Sequence, residues 1–231
     1  MPTTVTVYGD SILKSVLFED GKYGINPEQE RALSQRYSLT VRNLSRFGAT
    51  LSSTLAGMER DLAAHPAPDY CVLEFGGNDC DYRWSDIAAD PFGDHVCATP
   101  PEDFAFLYRK AIALVREAGS TPILVTLPPL MPERYLNHVC ERDHLSRESV
   151  LRFLEEANTI YRWQEKYSGD AVRIARQENT ELVDVRGKFL TRQHLGALIC
   201  QDGIHPNRAG QRLVAEAFSD FIRQKRSSAQ N

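Results

Sequence analysis

The sequence has no run of basic residues and no long apolar segment. Its 27 Lys and Arg residues are outnumbered by 31 Asp and Glu residues, which gives a net charge of -4. Proteins that bind nucleic acid usually carry a basic patch or stripe, so we do not expect a nucleic acid partner. A membrane span needs about 20 predominantly apolar residues. No segment approaches that length, so we expect no membrane partner.

The sequence also lacks the leader and cysteine patterns of secreted proteins. Its N-terminus has neither a cationic region nor an apolar stretch of signal-peptide length. The five cysteines are odd in number and include no Cys-x-x-Cys pair. This usage fits a reducing compartment better than a disulfide framework. We therefore expect a cytoplasmic protein.

Several catalytic motifs are missing as well. The sequence contains no Gly-x-Ser-x-Gly, which excludes the usual nucleophile elbow of α/β-hydrolases. It has no Gly-x-Gly-x-x-Gly, Walker A loop or His-Glu-x-x-His, so dinucleotide, nucleoside triphosphate and zincin sites have no support. Ser11-Ile12-Leu13-Lys14 matches the Ser-x-x-Lys of penicillin-binding proteins. Because that family's Ser-Asp-Asn and Lys-Thr-Gly motifs are absent, we interpret the match as a coincidence.

The composition and the hydrophobic pattern are those of an α/β protein. With 231 residues, 42% of them hydrophobic and 25% charged, we expect one globular domain over residues 1–231. Short apolar runs predict five buried strands, which are Thr3–Tyr8, Leu39–Leu44, Tyr70–Phe75, Ile123–Leu127 and Glu181–Val185. Apolar stripes of helical period predict helices around 51–62, 104–118, 147–167 and 208–225. Alternation of strands and helices predicts a parallel sheet with helices on both faces.

Two stretches, 80–101 and 128–146, show no periodicity. They follow the third and fourth predicted strands, at the edge of the sheet where open α/β proteins bind their ligands. Irregular segments of this length are usually functional or disordered. Each is interpreted either as a wall of a ligand pocket or as a solvated surface loop.

Polar residues with possible catalytic roles occur in three short blocks, and the first two blocks directly follow predicted strands. Ser11 follows Gly9-Asp10 at the end of the first strand, where its hydroxyl would serve either as a nucleophile or as a helix cap. Asn78 lies in Gly76-Gly77-Asn78-Asp79 after the third strand, and its side chain offers an amide donor. Asp202-Gly203-Ile204-His205 can place a carboxylate beside an imidazole, which is the pairing that activates a serine nucleophile. A capped turn is the alternative.

In order and spacing, these blocks together with Gly48 resemble the four blocks of the GDSL/SGNH hydrolase family. The resemblance implies a flavodoxin-like three-layer α/β/α sandwich with a five-stranded parallel sheet. It implies that Ser11 is the nucleophile, His205 the general base and Asp202 the residue that orients His205. It also implies an oxyanion hole formed by the backbone N–H groups of Ser11 and Gly48 and the Asn78 amide. Two departures are Ile12, in place of the usual Leu, and Ser15, in place of a usual Gly.

The activity expected from this resemblance is hydrolysis of a carboxylic ester, with a small acyl or acetyl ester or a thioester as substrate. It would proceed through an acyl-enzyme on Ser11 and require no metal or other cofactor. The partner is then a small-molecule ester, and a homo-oligomer is left open. The residues that we expect to line the substrate pocket are Asp10, Asp79, Trp84, Tyr135 and His138. Asp10 and Asp79 are also expected to cap turns and to orient Ser11 and Asn78.

Two alternatives of other classes stay open at this point. A metal-dependent phosphoesterase would use the oxygen and nitrogen ligands of Asp10, Asn78, Asp79, Asp202 and His205. A binding module without chemistry would use Ser11 and Gly48 to hold an anion. The segment around His138 and Cys140 also contains ligand-type side chains, but its spacing is not a standard zinc pattern. Cys80 is interpreted as a packed thiol.

Overall fold

A five-stranded parallel sheet forms the centre of the protein in the computed structural model, which describes residues 2–228. The first half of the chain contains β1 (Thr3–Gly9), β2 (Val16–Glu19), β3 (Lys22–Ile25), α1 (Glu28–Tyr37), β4 (Leu39–Asn43), α2 (Leu51–Ala64), β5 (Tyr70–Glu74), α3 (Trp84–Ala89) and α4 (Pro101–Glu117). The second half contains β6 (Thr121–Val125), α5 (Pro132–Arg142), α6 (Arg147–Leu154), α7 (Asn158–Gln177), β7 (Glu181–Val183), α8 (Val185–Leu190), a short 3-10 turn (Leu195–Ala197) and α9 (Arg208–Ser228).

The strand order of the sheet is β4-β1-β5-β6-β7, and every neighbouring pair is parallel. The predicted α/β fold with a five-stranded parallel sheet is therefore confirmed. The central strands β1 and β5 pair in register from Val5 with Tyr70 to Gly9 with Glu74. All five strands point their carboxyl ends in one direction, because the sheet is parallel. The loops that carry Ser11 and Asn78 therefore leave the sheet side by side.

Apolar side chains cover the sheet on both faces. One face carries Tyr8, Leu73 and Phe75, which pack against buried residues of α2, α4 and α7 such as Phe104 and Tyr108. The other face carries the side chains of β1, β5 and β6 that alternate with these, and they pack towards α8 and α9. Because the side chains of a strand alternate between its two faces, strands buried on both sides need continuous apolar runs.

A third apolar cluster lies beyond the carboxyl edge of the sheet. It includes Trp84 of α3, Tyr135 and Val139 of α5, Val150 of α6 and Ile160 of α7. The stretches 80–101 and 128–146 supply α3 and α5 to this cluster. They are therefore not irregular throughout, as the missing periodicity had suggested. In α5 the buried residues Tyr135, Leu136, Val139 and Cys140 are spaced as on one face of a helix, a pattern that the sequence-based prediction overlooked.

One further prediction needs correction, and some observed elements were not predicted. The helix predicted over 147–167 is interrupted, because Glu155 has φ 65°, and α6 and α7 are separate helices on either side of it. The β2–β3 hairpin and α1 were not predicted, because the hairpin strands are only four residues long and α1 is strongly polar. Within residues 2–228, every helix falls short of the length and hydropathy that a membrane crossing requires.

Candidate active site

Ser11 lies in a tight turn directly after β1. The turn is closed by hydrogen bonds from the Lys14 N–H to the Asp10 carbonyl, 3.1 Å, and from the Val16 N–H to the Ser11 carbonyl, 2.9 Å. Gly9 ends the strand where a Cβ would lie 3.2 Å from the Glu74 carbonyl oxygen. A side chain at this position would therefore crowd β5. Ser15 ends the same turn with φ 59°, a left-handed conformation that favours glycine.

Ser11, His205 and Asp202 form a continuous line of hydrogen bonds. The Ser11 Oγ lies 2.8 Å from His205 Nε2, and His205 Nδ1 lies 2.5 Å from Asp202 Oδ2. The second carboxylate oxygen of Asp202 accepts from the backbone N–H groups of Ile204 and His205, both at 3.2 Å. His205 is only 1% exposed and Asp202 is fully buried. The structure thus brings Ser11 next to the Asp202–His205 pair, which lies 194 positions further along the chain at His205, in the order that a serine hydrolase requires.

The turn from Asp202 to His205 depends on a glycine. Gly203 has φ 84°, and a Cβ on it would lie 2.4 Å from the backbone nitrogen of Tyr135. The Gly203 carbonyl accepts a hydrogen bond from the Met131 N–H at 2.7 Å, just before α5 begins. This close contact between the two backbones fixes the position of the turn relative to α5. His205 therefore faces Ser11 because the turn rests directly on the start of α5.

The backbone N–H groups of Ser11 and Gly48 have no hydrogen-bond partner among residues 2–228. Gly48 has φ 69° and lies in the loop between β4 and α2. The Asn78 amide differs, because its nitrogen donates to Asp10 Oδ2 and to the Ala49 carbonyl, both at 3.1 Å. Both amide hydrogens of Asn78 are thus engaged. One of them must leave its acceptor before Asn78 can bind an oxyanion.

A pair of buried carboxyl groups lies under the serine turn. Asp10 Oδ1 accepts from the Ile12 N–H at 2.8 Å, and its other oxygen accepts from Asn78. Glu74 is fully buried beside it, with Oε1 unpartnered among the described residues. Burial and the neighbouring Asp10 raise the pKa of Glu74 well above its usual range. The hydrogen bonds of Asp10 hold the serine turn and the Asn78 amide in place.

Asp79 connects three loops beneath the site. Its Oδ1 accepts from the Leu51 N–H at 2.9 Å and from the Thr99 hydroxyl at 2.7 Å. Its Oδ2 accepts from the Gly76 N–H at 3.0 Å. Burial raises the pKa of Asp79 to about 6 despite these donors. Asp79 is fully buried and is not among the residues that line the cavity beside Ser11, so the structure places it as a support of these loops.

A small cavity of roughly 60 Å³ opens beside Ser11. Of the residues predicted to line the substrate pocket, Asp10, Trp84 and Tyr135 line this cavity, together with Leu130, Ile160, Trp163 and Ile204. Asp81 also lines it, although sequence reasoning did not select this residue. Its carboxylate accepts from the Tyr135 hydroxyl at 2.6 Å and from Trp84 Nε1 at 2.9 Å, and burial raises its pKa to about 6.

Aromatic side chains surround His205 on the outer side, and we call this group the aromatic rim (Phe18, Tyr23, Phe47 and His138). The Phe47 ring is stacked on the His205 ring with their centres 5.9 Å apart, and Tyr23 approaches the same ring to 5.6 Å. His138 accepts or donates a hydrogen bond with the Tyr23 hydroxyl at 2.8 Å. His138 therefore belongs to the rim and is not among the residues that line the cavity. The position of Phe47 directly before Gly48 was the signal that sequence reasoning missed.

The donor groups of the phosphoesterase alternative do not assemble into a cation site. Residues 2–228 contain no group of three or more His, Cys, Asp or Glu side chains placed to hold a metal ion. The carboxylate oxygens of Asp10 and Asp79 already accept hydrogen bonds from N–H and O–H donors of the protein. Cys80 is buried, and burial raises the pKa of its thiol well above its usual range, as expected for a packed and unreactive cysteine.

Comparisons with known proteins agree with this geometry. A family model described as "GDSL-like Lipase/Acylhydrolase family" matches residues 7–213. No curated protein matches the chain in sequence. A lipase/acylhydrolase from Enterococcus faecalis has a similar structure, with 16% identity, 96% of each chain covered and a TM-score of 0.66. An acetylxylan esterase from Geobacillus stearothermophilus has 20% identity, a TM-score of 0.63, and 94% of this chain and 92% of that chain covered.

Two further structures of the acetylxylan esterase are of catalytic mutants, in which a serine or a histidine is replaced by alanine. Another similar structure is an enzyme from the metagenome of Lake Arreo, Spain, described as an alpha/beta hydrolase. It has 24% identity and a TM-score of 0.64, with 94% of this chain and 93% of that chain covered. The similarity of all three proteins extends over almost the whole chain, and at these identities it establishes a common fold.

Proposed function

The chain belongs to the GDSL-like lipase/acylhydrolase family and is an ester-hydrolysing enzyme, and we propose that it cleaves short-chain carboxylic esters through an acyl-enzyme on Ser11. The observation that carries this proposal is the hydrogen-bonded line from Ser11 through His205 to Asp202. Replacement of a serine or a histidine gives catalytic mutants of the structurally similar acetylxylan esterase. That finding supports the same two roles in this chain.

In the first step, His205 Nε2 accepts the Ser11 proton while Oγ attacks the acyl carbon. A serine hydroxyl is a weak nucleophile until a neighbouring base removes its proton. Asp202 accepts a hydrogen bond from the Nδ1–H of His205, so the ring presents an unprotonated Nε2 to Ser11 and its positive charge is stabilised after the transfer. His205 then protonates the departing alcohol oxygen. A water molecule then attacks the acyl carbon while His205 Nε2 accepts a proton from it. His205 passes this proton to the Ser11 oxygen as the bond between that oxygen and the acyl carbon breaks.

The negative charge on the tetrahedral intermediate needs donors that are free to bind it. The backbone N–H groups of Ser11 and Gly48 meet this requirement, since neither has another acceptor within residues 2–228. We assign the third donor to Asn78, which would exchange its bond to the Ala49 carbonyl for a bond to the oxyanion. Asp10 would keep the second amide hydrogen of Asn78 throughout, and so hold the amide in position.

The size of the cavity supports a short acyl group. A water-sized group occupies about 10–15 Å³ on this scale, and the cavity measures roughly 60 Å³. It therefore has room for a few heavy atoms, such as an acetyl group, and not for a long alkyl chain. Trp84, Ile160 and Trp163 are among the residues that line it. The alcohol portion would extend towards the aromatic rim, where Phe47 is 54% exposed and offers a flat apolar surface.

A chain-length series of p-nitrophenyl esters tests this proposal. We expect kcat/KM to be highest for the acetate and to fall steeply through the butyrate to the octanoate, because the longer chains do not fit the cavity. Ser11→Ala should abolish hydrolysis of all three esters. Trp163→Ala enlarges the cavity, so it should shift the preference towards the butyrate. Activity that is equal on acetate and octanoate, or that persists in Ser11→Ala, would refute the proposal.

A further inference from the structure

A second cavity, larger than the one beside Ser11, lies elsewhere in the protein. It measures about 320 Å³ and lies between the sheet and the helices α1 and α9, on the face opposite to α2, α4 and α7. We call it the α1–α9 groove. Its walls are mainly apolar and include Val5, Val41, Val72, Leu33, Val214 and Phe218. This volume falls within the range of small-molecule sites, which are concave and mostly apolar.

The groove exists because α1 is a poor cover for the sheet. Of its ten residues, only Ala32, Leu33 and Tyr37 are apolar or aromatic. The core residues beneath it, such as Val5 and Val41, are consequently only partly buried. On the opposite face, by contrast, Leu73, Phe104 and Tyr108 are completely inaccessible. The side chains on one face of the sheet are thus fully buried, whereas those on the other face border an open cavity. An apolar cavity of this kind indicates a site for an apolar ligand.

Cationic groups stand at one end of the groove. Arg226 lines it, donates to the Tyr37 carbonyl at 2.8 Å and lies over the Tyr37 ring with 5.3 Å between its guanidinium carbon and the ring centre. Arg36 lies against the same ring at 5.4 Å. Among residues 2–228, neither guanidinium has a carboxylate partner, whereas the neighbouring Lys225 is paired with Glu181. Two arginines without a carboxylate beside an apolar groove are complementary to an anionic head group.

We propose that the α1–α9 groove binds a single-chain fatty carboxylate, with the alkyl chain along β1 and β4 and the carboxylate at Arg226, which lines the groove. The groove follows β1 from Thr3 to Val7, four residue steps or about 13 Å, which suits a medium-length chain. This proposal goes beyond ester hydrolysis and is independent of it, because the catalytic cavity is too small for such a chain. Ile12 lines both cavities and forms the wall between them.

Calorimetric titration of the full chain with dodecanoate, below its micelle concentration, tests the proposal. We expect saturable binding with one site per chain. Ala215→Phe and Ser34→Phe each fill the groove from a different helix and should weaken binding roughly tenfold or more, because each excludes at least two methylene groups. Ala63→Phe, on the exposed side of α2, is the matched control and should bind as the wild type does.

The carboxylate assignment has its own test. Arg226→Ala should weaken dodecanoate but leave the uncharged dodecanol unaffected, whereas Arg223→Ala, one turn earlier on the same helix and outside the groove, should change neither. Absence of saturable binding by the wild type would overturn the proposal, and so would unchanged binding by a folded Ala215→Phe. A wild-type dimer that dissociates in Ala215→Phe, seen by light scattering, would overturn it in favour of a second copy of the chain as the occupant. Because every readout is binding or mass, failure here leaves the hydrolase proposal untouched.

Discussion

Asp202→Asn changes a single atom of the proposed triad, and the structure indicates how the new amide will be oriented. Asp202 Oδ1 is held by the backbone N–H groups of Ile204 and His205. The asparagine oxygen must occupy this place, because the amide nitrogen would otherwise face two donors. The nitrogen of the amide is then directed at His205 Nδ1, where Asp202 Oδ2 now lies at 2.5 Å.

This orientation reverses the tautomer of His205. An amide N–H pointing at Nδ1 requires an unprotonated Nδ1, so the ring proton moves to Nε2, which faces Ser11 Oγ at 2.8 Å. A protonated Nε2 cannot accept the serine proton. In a serine triad with the same arrangement, this change costs about 10⁴-fold in kcat, which corresponds to about 5 kcal/mol of transition-state stabilisation. We therefore expect kcat/KM to fall by about four orders of magnitude.

Steady-state hydrolysis of p-nitrophenyl acetate measures this loss, with thermal unfolding followed by circular dichroism to verify the fold. Asp184→Asn is the matched control, because the Asp184 carboxylate likewise accepts a backbone N–H, that of Gly187, but it caps α8 and does not line the cavity beside Ser11. The control should retain nearly full activity. A folded Asp202→Asn variant that loses less than roughly tenfold in kcat would refute the assignment of Asp202, because a forced tautomer costs far more.

Four further predictions concern the supports of the site. Asn78→Ala should lower kcat roughly 100- to 1,000-fold with little change in KM, as measured on p-nitrophenyl acetate, since one oxyanion donor is lost; an unchanged kcat would exclude Asn78 from the oxyanion hole. Gly203→Ala should lower the free energy of unfolding by about 3 kcal/mol or more in urea titrations, because its Cβ would lie 2.4 Å from the Tyr135 nitrogen. Ser15→Gly should raise that free energy by up to about 1 kcal/mol, because φ is 59°; a loss of stability would contradict this. Burial raises the pKa of Asp79 from 3.8 to about 6, so the folded protein holds a proton on Asp79 that the unfolded chain has already lost. The free energy of unfolding of the wild type should therefore fall by up to about 3 kcal/mol between pH 4 and pH 6 because of this group. Asp79→Asn should lack this part of the fall, which urea titrations of both proteins at each pH will measure.

The sheet and the positions of its polar residues could be predicted because both follow from local patterns. Buried parallel strands require continuous apolar runs, and the predicted Leu39–Leu44 and Tyr70–Phe75 each differ from the observed strand by one residue at the end. The direction of the strands then places Ser11 and Asn78 at a common edge. The distances from Ser11 to His205 could not be predicted, because they depend on how the Gly203 turn rests on α5.

Other features depend on contacts between distant segments and left no local pattern. Asp81 is recognisable as a pocket residue only once the Tyr135 hydroxyl and the Trp84 indole converge on it. His138 was predicted to line the pocket, but α5 carries it to the aromatic rim beside Tyr23. The α1–α9 groove depends on how all of α1 packs against the sheet, and no single residue of α1 indicates it. The polar composition of α1 could have indicated incomplete cover, but only the packed structure shows what lies beneath it.

Intact mass after exposure to a fluorophosphonate tests most directly whether Ser11 is an activated nucleophile. The reagent forms a stable phosphonyl ester with a serine that a neighbouring base activates, and the measurement is made with EDTA present. We expect one adduct on the wild type, none on Ser11→Ala, and none on a folded His205→Ala at the same exposure. A wild type that remains unmodified, or a Ser11→Ala variant that is modified to the same extent, would contradict the proposed mechanism.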